Sequence, residues 1–358
     1  MPVLRTKKVK LRGVCCALPE NKKTVFEIGK DYFDEATIEK TTSSIGVKEI
    51  YIAEEGVTAS DLCFKAAERL IQKLGWEKDT IDGLLFISQT PDYRLPATAC
   101  ILQHRLGLLN DCVAMDINLG CSGFVYGIFT ASQFIETRTC NRVLVLTGDT
   151  LRRHISPKDK GITFIISDAG SAAALEYAED ADPMTIVTYS DGSGYKDLIV
   201  EAGGARMPIT QETGEYYSDQ DGSSRKREDL YMNGMGIFTF AVKRVPALLQ
   251  NVLTEHGWGE ENVDLFLLHQ ANAYMVKYIS KRAKIPGHKL PVNIDKYGNT
   301  NGSTIPFLIC DLFGGQSGRS NHAVLAGFGV GLSWGAVALT MKDLESADII
   351  HVRKGGVE

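Results

Sequence analysis

Cys121 stands in the run Asp116-Ile117-Asn118-Leu119-Gly120-Cys121-Ser122-Gly123-Phe124, where a strand-like stretch gives way to a helix-like one. A cysteine at a helix N-terminus meets unpaired N–H groups and the positive end of the helix dipole, and both favour the nucleophilic thiolate. His269 follows the apolar run Leu265-Phe266-Leu267-Leu268, at the expected end of a strand, where an imidazole can take or give a proton near neutral pH. Asn299, in Gly298-Asn299-Thr300-Asn301-Gly302-Ser303-Thr304, offers a neutral donor to an oxygen that gains charge as an enolate forms. The stretch Gly327-Phe328-Gly329-Val330-Gly331-Leu332-Ser333-Trp334-Gly335 has alternating glycines that let its backbone approach another group closely. It reads either as a phosphate cradle or as half of an oxyanion hole, with the N–H groups of Val330 and Cys121 aimed at a thioester oxygen. The chain has neither a dinucleotide GxGxxG fingerprint nor a GK[ST] P-loop, so the nearby cysteine favours the second reading.

These residues need strands and helices to present them, and the chain contains those elements twice. Gly75-Trp76 followed by Ile81-Asp82-Gly83-Leu84-Leu85-Phe86-Ile87 is answered 182 residues later, from Trp76 to Trp258, by Gly257-Trp258 followed by Val263-Asp264-Leu265-Phe266-Leu267-Leu268-His269. An amphipathic stretch precedes each Gly-Trp pair and a short apolar run follows each Asp, giving helix, turn and buried strand in both copies. At the same spacing Cys121 corresponds to Ser303 and Ile87 to His269. The second copy therefore carries a polar group where the first has an isoleucine. The pattern predicts an α/β fold of two duplicated halves, 1–182 and 183–358, packed about a pseudo-two-fold axis, with chemistry gathered at strand ends. The segment 190–229, rich in Gly, Ser, Tyr and charge, reads as a long surface excursion.

With 358 residues, 44% of them hydrophobic, the chain can bury a large core. Its net charge of −5 argues against a general affinity for nucleic acid or anionic membrane. Eight cysteines without a secretory leader point to reduced thiols and a cytoplasmic protein. Cys15 and Cys16 are adjacent and no CxxC pair occurs, so no metal site is expected.

The motifs CSGF, HQAN, GNT and GFGVGLSWG, in this order and spacing, resemble those of the β-ketoacyl-acyl carrier protein synthase III family of the thiolase superfamily. The resemblance runs from the first strand-like stretch to Trp334-Gly335. It implies a five-layered αβαβα sandwich and a decarboxylative Claisen condensation, in which an acyl thioester loads Cys121 and is extended by malonyl-acyl carrier protein. In that scheme Cys121 is the nucleophile, His269 and Asn299 assist decarboxylation and hold the enolate, and the amides of Cys121 and Val330 form the oxyanion hole. Leu95, Lys160, Phe238 and Gly329 would contact substrate, and Lys277, Lys281, Arg282 and Lys284 would meet the acidic carrier protein. The expected assembly is a homodimer that takes CoA or carrier-protein thioesters as substrates and needs no cofactor. The sequence departs from the family at Lys40 and Ser44, where a Trp and an Arg usually stack on the adenine of CoA, and at Leu95, where an aromatic is common. These departures fit a specialised member with an unusual acyl donor. A hydroxymethylglutaryl-CoA synthase-like condensation, another acyl transfer, or a non-catalytic partner subunit are the alternatives at this stage.

Overall fold

The computed structural model describes residues 2–314, 320–342 and 344–356. The amphipathic helix α1 (Ala59–Leu74) opens with a capping box between Thr58 and Asp61, and α4 (Gly234–His256) opens on the side chain of Asn233. Both end in a left-handed glycine, Gly75 at φ 59° and Gly257 at φ 81°. That conformation explains the glycine of each Gly-Trp pair, because a Cβ is disfavoured there.

Sheet one contains β2 (Val9–Pro19), β3 (Gly83–Ile87), β4 (Val113–Ile117), β5 (Arg142–Asp149) and β6 (Ala169–Tyr177), with β11 (Ser346–Val352) at one edge, in the order β11-β2-β6-β5-β3-β4. Sheet two contains β7 (Met184–Ser190), β8 (Leu265–Leu268), β9 (Ser320–Gly329) and β10 (Ser333–Lys342), with β1 (Val3–Thr6) at its edge, in the order β1-β7-β10-β9-β8. The duplication is visible in the pairing: β3 runs parallel to β5 as β8 does to β9, and β5 is antiparallel to β6 as β9 is to β10. The proposed boundary at 182/183 falls between β6 and β7. The chain ends nevertheless cross it, since β1 pairs with β7 and β11 pairs with β2. Each half is thus completed by a terminal strand from the other.

Side chains alternate across the sheets and sort the core into layers. Leu85 and Ile87 of β3, with Leu267 of β8, face a central pair of helices, α3 (Gly123–Glu136) and α6 (Thr304–Phe313). Leu84 and Phe86 turn the other way onto α1 and α2 (Thr98–Leu106), while Phe266 and Leu268 meet α4 and α5 (Ala273–Ala283). The result is the five-layered αβαβα sandwich. Helices α3 and α6 carry apolar residues on nearly every side because both faces lie against a sheet. Their N-termini bring the Cys121 turn and the Asn299 turn to the same end of the molecule.

Candidate active site

A cavity of about 590 Å³ opens between the halves, and Cys121, His269, Asn299, Asn301, Gly329 and Val330 all contribute to its wall. Cys121 stands just before Ser122, the N-cap of α3, in a turn closed by the Gly123 N–H donating to the Gly120 carbonyl at 2.7 Å. The loop after β9 passes directly over the thiol. A Cβ on Gly329 would lie 2.7 Å from Cys121 Cβ and 2.8 Å from Sγ, so only glycine allows this approach. Ser333 Oγ donates to the Val330 carbonyl at 2.8 Å, which leaves the Ser122 hydroxyl as donor in its 2.7 Å bond to Ser333. This chain ties the Val330 loop to the Cys121 turn.

The helix N-terminus sits where the sequence placed it, and burial works against it at Cys121. Burial pushes the thiol up to about 12, and the negative charge of Asp149 acts in the same direction. The N–H groups of Val330 and Cys121 pull it back only in part. Both amides therefore lie close to the sulfur.

His269 follows directly after β8 with its ring fully buried, and burial depresses its pKa to about 3, so the imidazole is neutral. Its Nδ1 lies 2.7 Å from Thr304 Oγ1, and that hydroxyl donates to the Asn301 carbonyl at 3.1 Å. A hydroxyl has one proton, so Nδ1 is the donor and Nε2 presents a lone pair. The Asn299 amide is oriented in the same manner: Oδ1 accepts from the Asn301 N–H at 2.9 Å, leaving Nδ2 with only a 3.5 Å contact to the Ala271 carbonyl. Asn299 thus offers a donor and neutral His269 an acceptor. His269 becomes a donor at Nε2 only while it carries a proton.

Three of the expected substrate contacts lie outside this wall. Leu95 is 82% exposed on the loop before α2. Lys160 is drawn to Asp221, whose backbone carbonyl it meets. Phe238 packs on Tyr274 and Tyr278 at centroid separations of 5.6 and 5.2 Å, while its neighbour Ile237, about 100° around the helix, faces the cavity. Gly329 is the one of the four that lines it. Lys277, Lys281, Arg282 and Lys284 are all exposed, on α5 and at its C-cap, and α5 contributes Met275 to the cavity from its first turn.

Two groups beside Cys121 escaped the sequence reading. Asn301 Oδ1 lies 3.1 Å from Cys121 Sγ, and Asn301 Nδ2 donates to the buried carboxylate of Asp149 at 2.5 Å. The only local signal is an Asn beside a Gly in a turn, here at φ 54°, a left-handed conformation Asn tolerates.

The family model described as 3-oxoacyl-[acyl-carrier-protein] synthase III matches residues 115–192, and the model of its C-terminal part matches 253–341. A β-ketoacyl-[acyl-carrier-protein] synthase III of Caldanaerobacter subterraneus is 33% identical over 325 residues, covering 90% of this chain and 94% of its own. The chain belongs to this family. A solved 3-oxoacyl-(acyl-carrier protein) synthase of Burkholderia xenovorans superposes with a TM-score of 0.91 at 36% identity, covering 98% of this chain and 99% of its own. The corresponding synthase III of Pseudomonas aeruginosa gives 0.80 at 25% identity, covering 94% and 99%. The protein is accordingly a condensing acyltransferase of the thiolase type. Among the described residues no helix is long and apolar enough to cross a membrane.

Proposed function

We propose that Cys121, His269 and Asn299 carry the condensation of an acyl thioester with malonyl-acyl carrier protein, as follows. The Cys121 proton passes to Nε2 of His269, and the sulfur attacks the donor's thioester carbon. The carbonyl oxygen takes up negative charge between the N–H groups of Cys121 and Val330. The donor's C–S bond then breaks, and its sulfur leaves as a thiol with the proton from His269. Malonyl thioester enters next, its carboxylate leaves as CO2, and the freed electron pair spreads onto the thioester oxygen, where Asn299 Nδ2 donates. Because His269 is neutral, it does not pin the carboxylate by charge, and the site favours the enolate over the ground state. The enolate carbon attacks acyl-Cys121, and the Cys121 thiolate departs and regains a proton from water. The product is a β-ketoacyl thioester two carbons longer.

The observation carrying this reading is the shared cavity, with an S–H at its base, two amides on the sulfur, an imidazole lone pair and an amide donor. The basic residues along α5 and at its C-cap, on a helix whose first turn reaches the cavity, support docking of an acidic carrier protein. The half-buried edge strand β4 and the exposed Tyr93 and Leu95 support a homodimer, in which Leu95 meets the second subunit. Reduced thiols throughout support a cytoplasmic location. Intact-mass analysis after incubation with CoA and carrier-protein thioesters of different acyl chains tests the scheme. An adduct on Cys121 that disappears on adding malonyl-carrier protein supports it. No adduct with any donor, or decay at one rate with and without malonyl-carrier protein, overturns it.

A further inference from the structure

Asp149 ends β5 almost fully buried and is surrounded by donors. Its Oδ1 accepts from the Gln89 N–H at 2.7 Å, Ser88 Oγ at 3.1 Å and Thr90 Oγ1 at 3.3 Å, and its Oδ2 accepts from Asn301 Nδ2. Above about pH 7, where Asp149 is ionised, its carboxylate can only accept, so it dictates which end of the Asn301 amide faces it. The other end, Oδ1, must then face Cys121 Sγ at 3.1 Å. A thiol satisfies this contact by donating its proton. A thiolate would instead set its lone pairs against those of a carbonyl oxygen. Gly120 leaves the space for the arrangement, since a Cβ there would lie 2.9 Å from Asn301 Oδ1.

We propose that Asn301, locked by Asp149, is a positioning residue that holds the nucleophile as a neutral thiol with its S–H turned into the protein. The inference rests on Cys121 being the acyl-accepting nucleophile. Its consequence is a latch: the sulfur is a poor target for stray electrophiles and becomes reactive when His269 takes its proton with substrate in place. Two titratable groups flank the sulfur's site, Asp149 from β5 through this amide and His269, which follows β8 and lines the same cavity. The buried thiol of Cys63 on α1 lies against Gly148, and burial, with the charge of Asp149 added to it, raises its pKa.

The polarity of the amide can be reversed. In Asp149→Asn the new amide can keep its oxygen toward the Gln89 N–H and turn its NH2 toward Asn301, which then offers Oδ1 to it and Nδ2 to the sulfur. A donor now meets Sγ and the thiolate is favoured. Asn301→Gly removes the amide, keeps the left-handed backbone and admits water as a donor. The test is the rate of iodoacetamide alkylation at Cys121 from pH 7 to 10, read on the Cys121 peptide because Cys100 is also exposed. A decrease of about two pKa units yields roughly a hundredfold more thiolate, reduced to about a tenfold faster reaction because less basic thiolates are weaker nucleophiles. Asp149→Asn should therefore alkylate about tenfold faster at about pH 8.5, and Asn301→Gly about threefold faster, with acyl loading slowed in both. Opposite movements of alkylation and acyl loading would not arise from general loss of structure. Unchanged or slower alkylation in either folded variant overturns the proposal. Wild-type acyl loading by mass separately tests the nucleophile assignment.

Discussion

Replacing Gly329 by alanine should abolish most acyl loading while leaving the fold intact. The added Cβ would sit 2.8 Å from Cys121 Sγ, against an ordinary carbon–sulfur contact of roughly 3.6 Å, so the sulfur must give way by about 0.8 Å. The thiol cannot simply rotate, since Asn301 Oδ1 holds one side at 3.1 Å and the Val330 amide lies against it. Displacements near 1 Å in a reacting pair cost on the order of a hundredfold in rate, which is about 2.7 kcal/mol of barrier. Single-turnover loading followed by intact mass gives the rate directly, and thermal unfolding gives the stability. The expected result is a hundredfold slower adduct formation with a melting temperature within about 5 °C of wild type. Loading within about threefold of wild type would refute the reasoning, because it would mean that the sulfur's placement against this loop does not matter to attack.

Other perturbations follow from the same geometry. Thr304→Val removes the hydroxyl that fixes His269 Nδ1–H, so acyl loading should fall by about tenfold, measured by the same mass assay. Alanine at Lys277, Lys281, Arg282 and Lys284 together should raise KM for malonyl-carrier protein about tenfold at low ionic strength and much less in about 0.5 M salt, with donor loading from CoA esters unchanged. Burial raises Asp149 to about 7 and Asp168 to about 6, above the usual value near 3.9 in an unfolded chain. Between these values the folded protein holds protons that the unfolded chain has released, so denaturant-measured stability should fall as pH rises from about 4 to about 7. For Asp149 alone the drop is of order 4 kcal/mol, and Asp149→Asn should flatten the curve.

The duplication, the α/β layers and the placement of Cys121, His269 and Asn299 were legible because each rests on local pattern. Strand ends, Gly-rich turns and helix starts recur at one spacing in the sequence, and their pairing follows from that repeat. The exchange of β1 and β11 between halves was not legible, since a short strand reads alike whichever sheet it joins. Phe238 and Ile237 show a second limit, because adjacent positions at the start of α4 point to different neighbours and only the fold decides which meets the cavity. The Asn301–Asp149 bond joins residues 152 positions apart, and no local feature of either announces the other.

The repeat also explains why the site lies where it does. Asp149 and Gly329 are the last residues of β5 and β9, the equivalent strands of the two halves. Each meets the turn of the opposite half: Gly329 touches Cys121, and Asp149 holds Asn301. The turns themselves are equivalent, but Ser303, at the position of Cys121, is fully buried and spends its hydroxyl on the Thr147 carbonyl and Ser171. One strand end has therefore lost its side chain to admit a nucleophile, and the other carries a carboxylate that braces the turn supplying Asn299 and Asn301. The cavity lies where the two halves differ at these matched positions. A carboxylate at 329 would both collide with Cys121 and place a charge on its sulfur, so restoring the symmetry with Gly329→Asp should silence the enzyme more completely than Gly329→Ala.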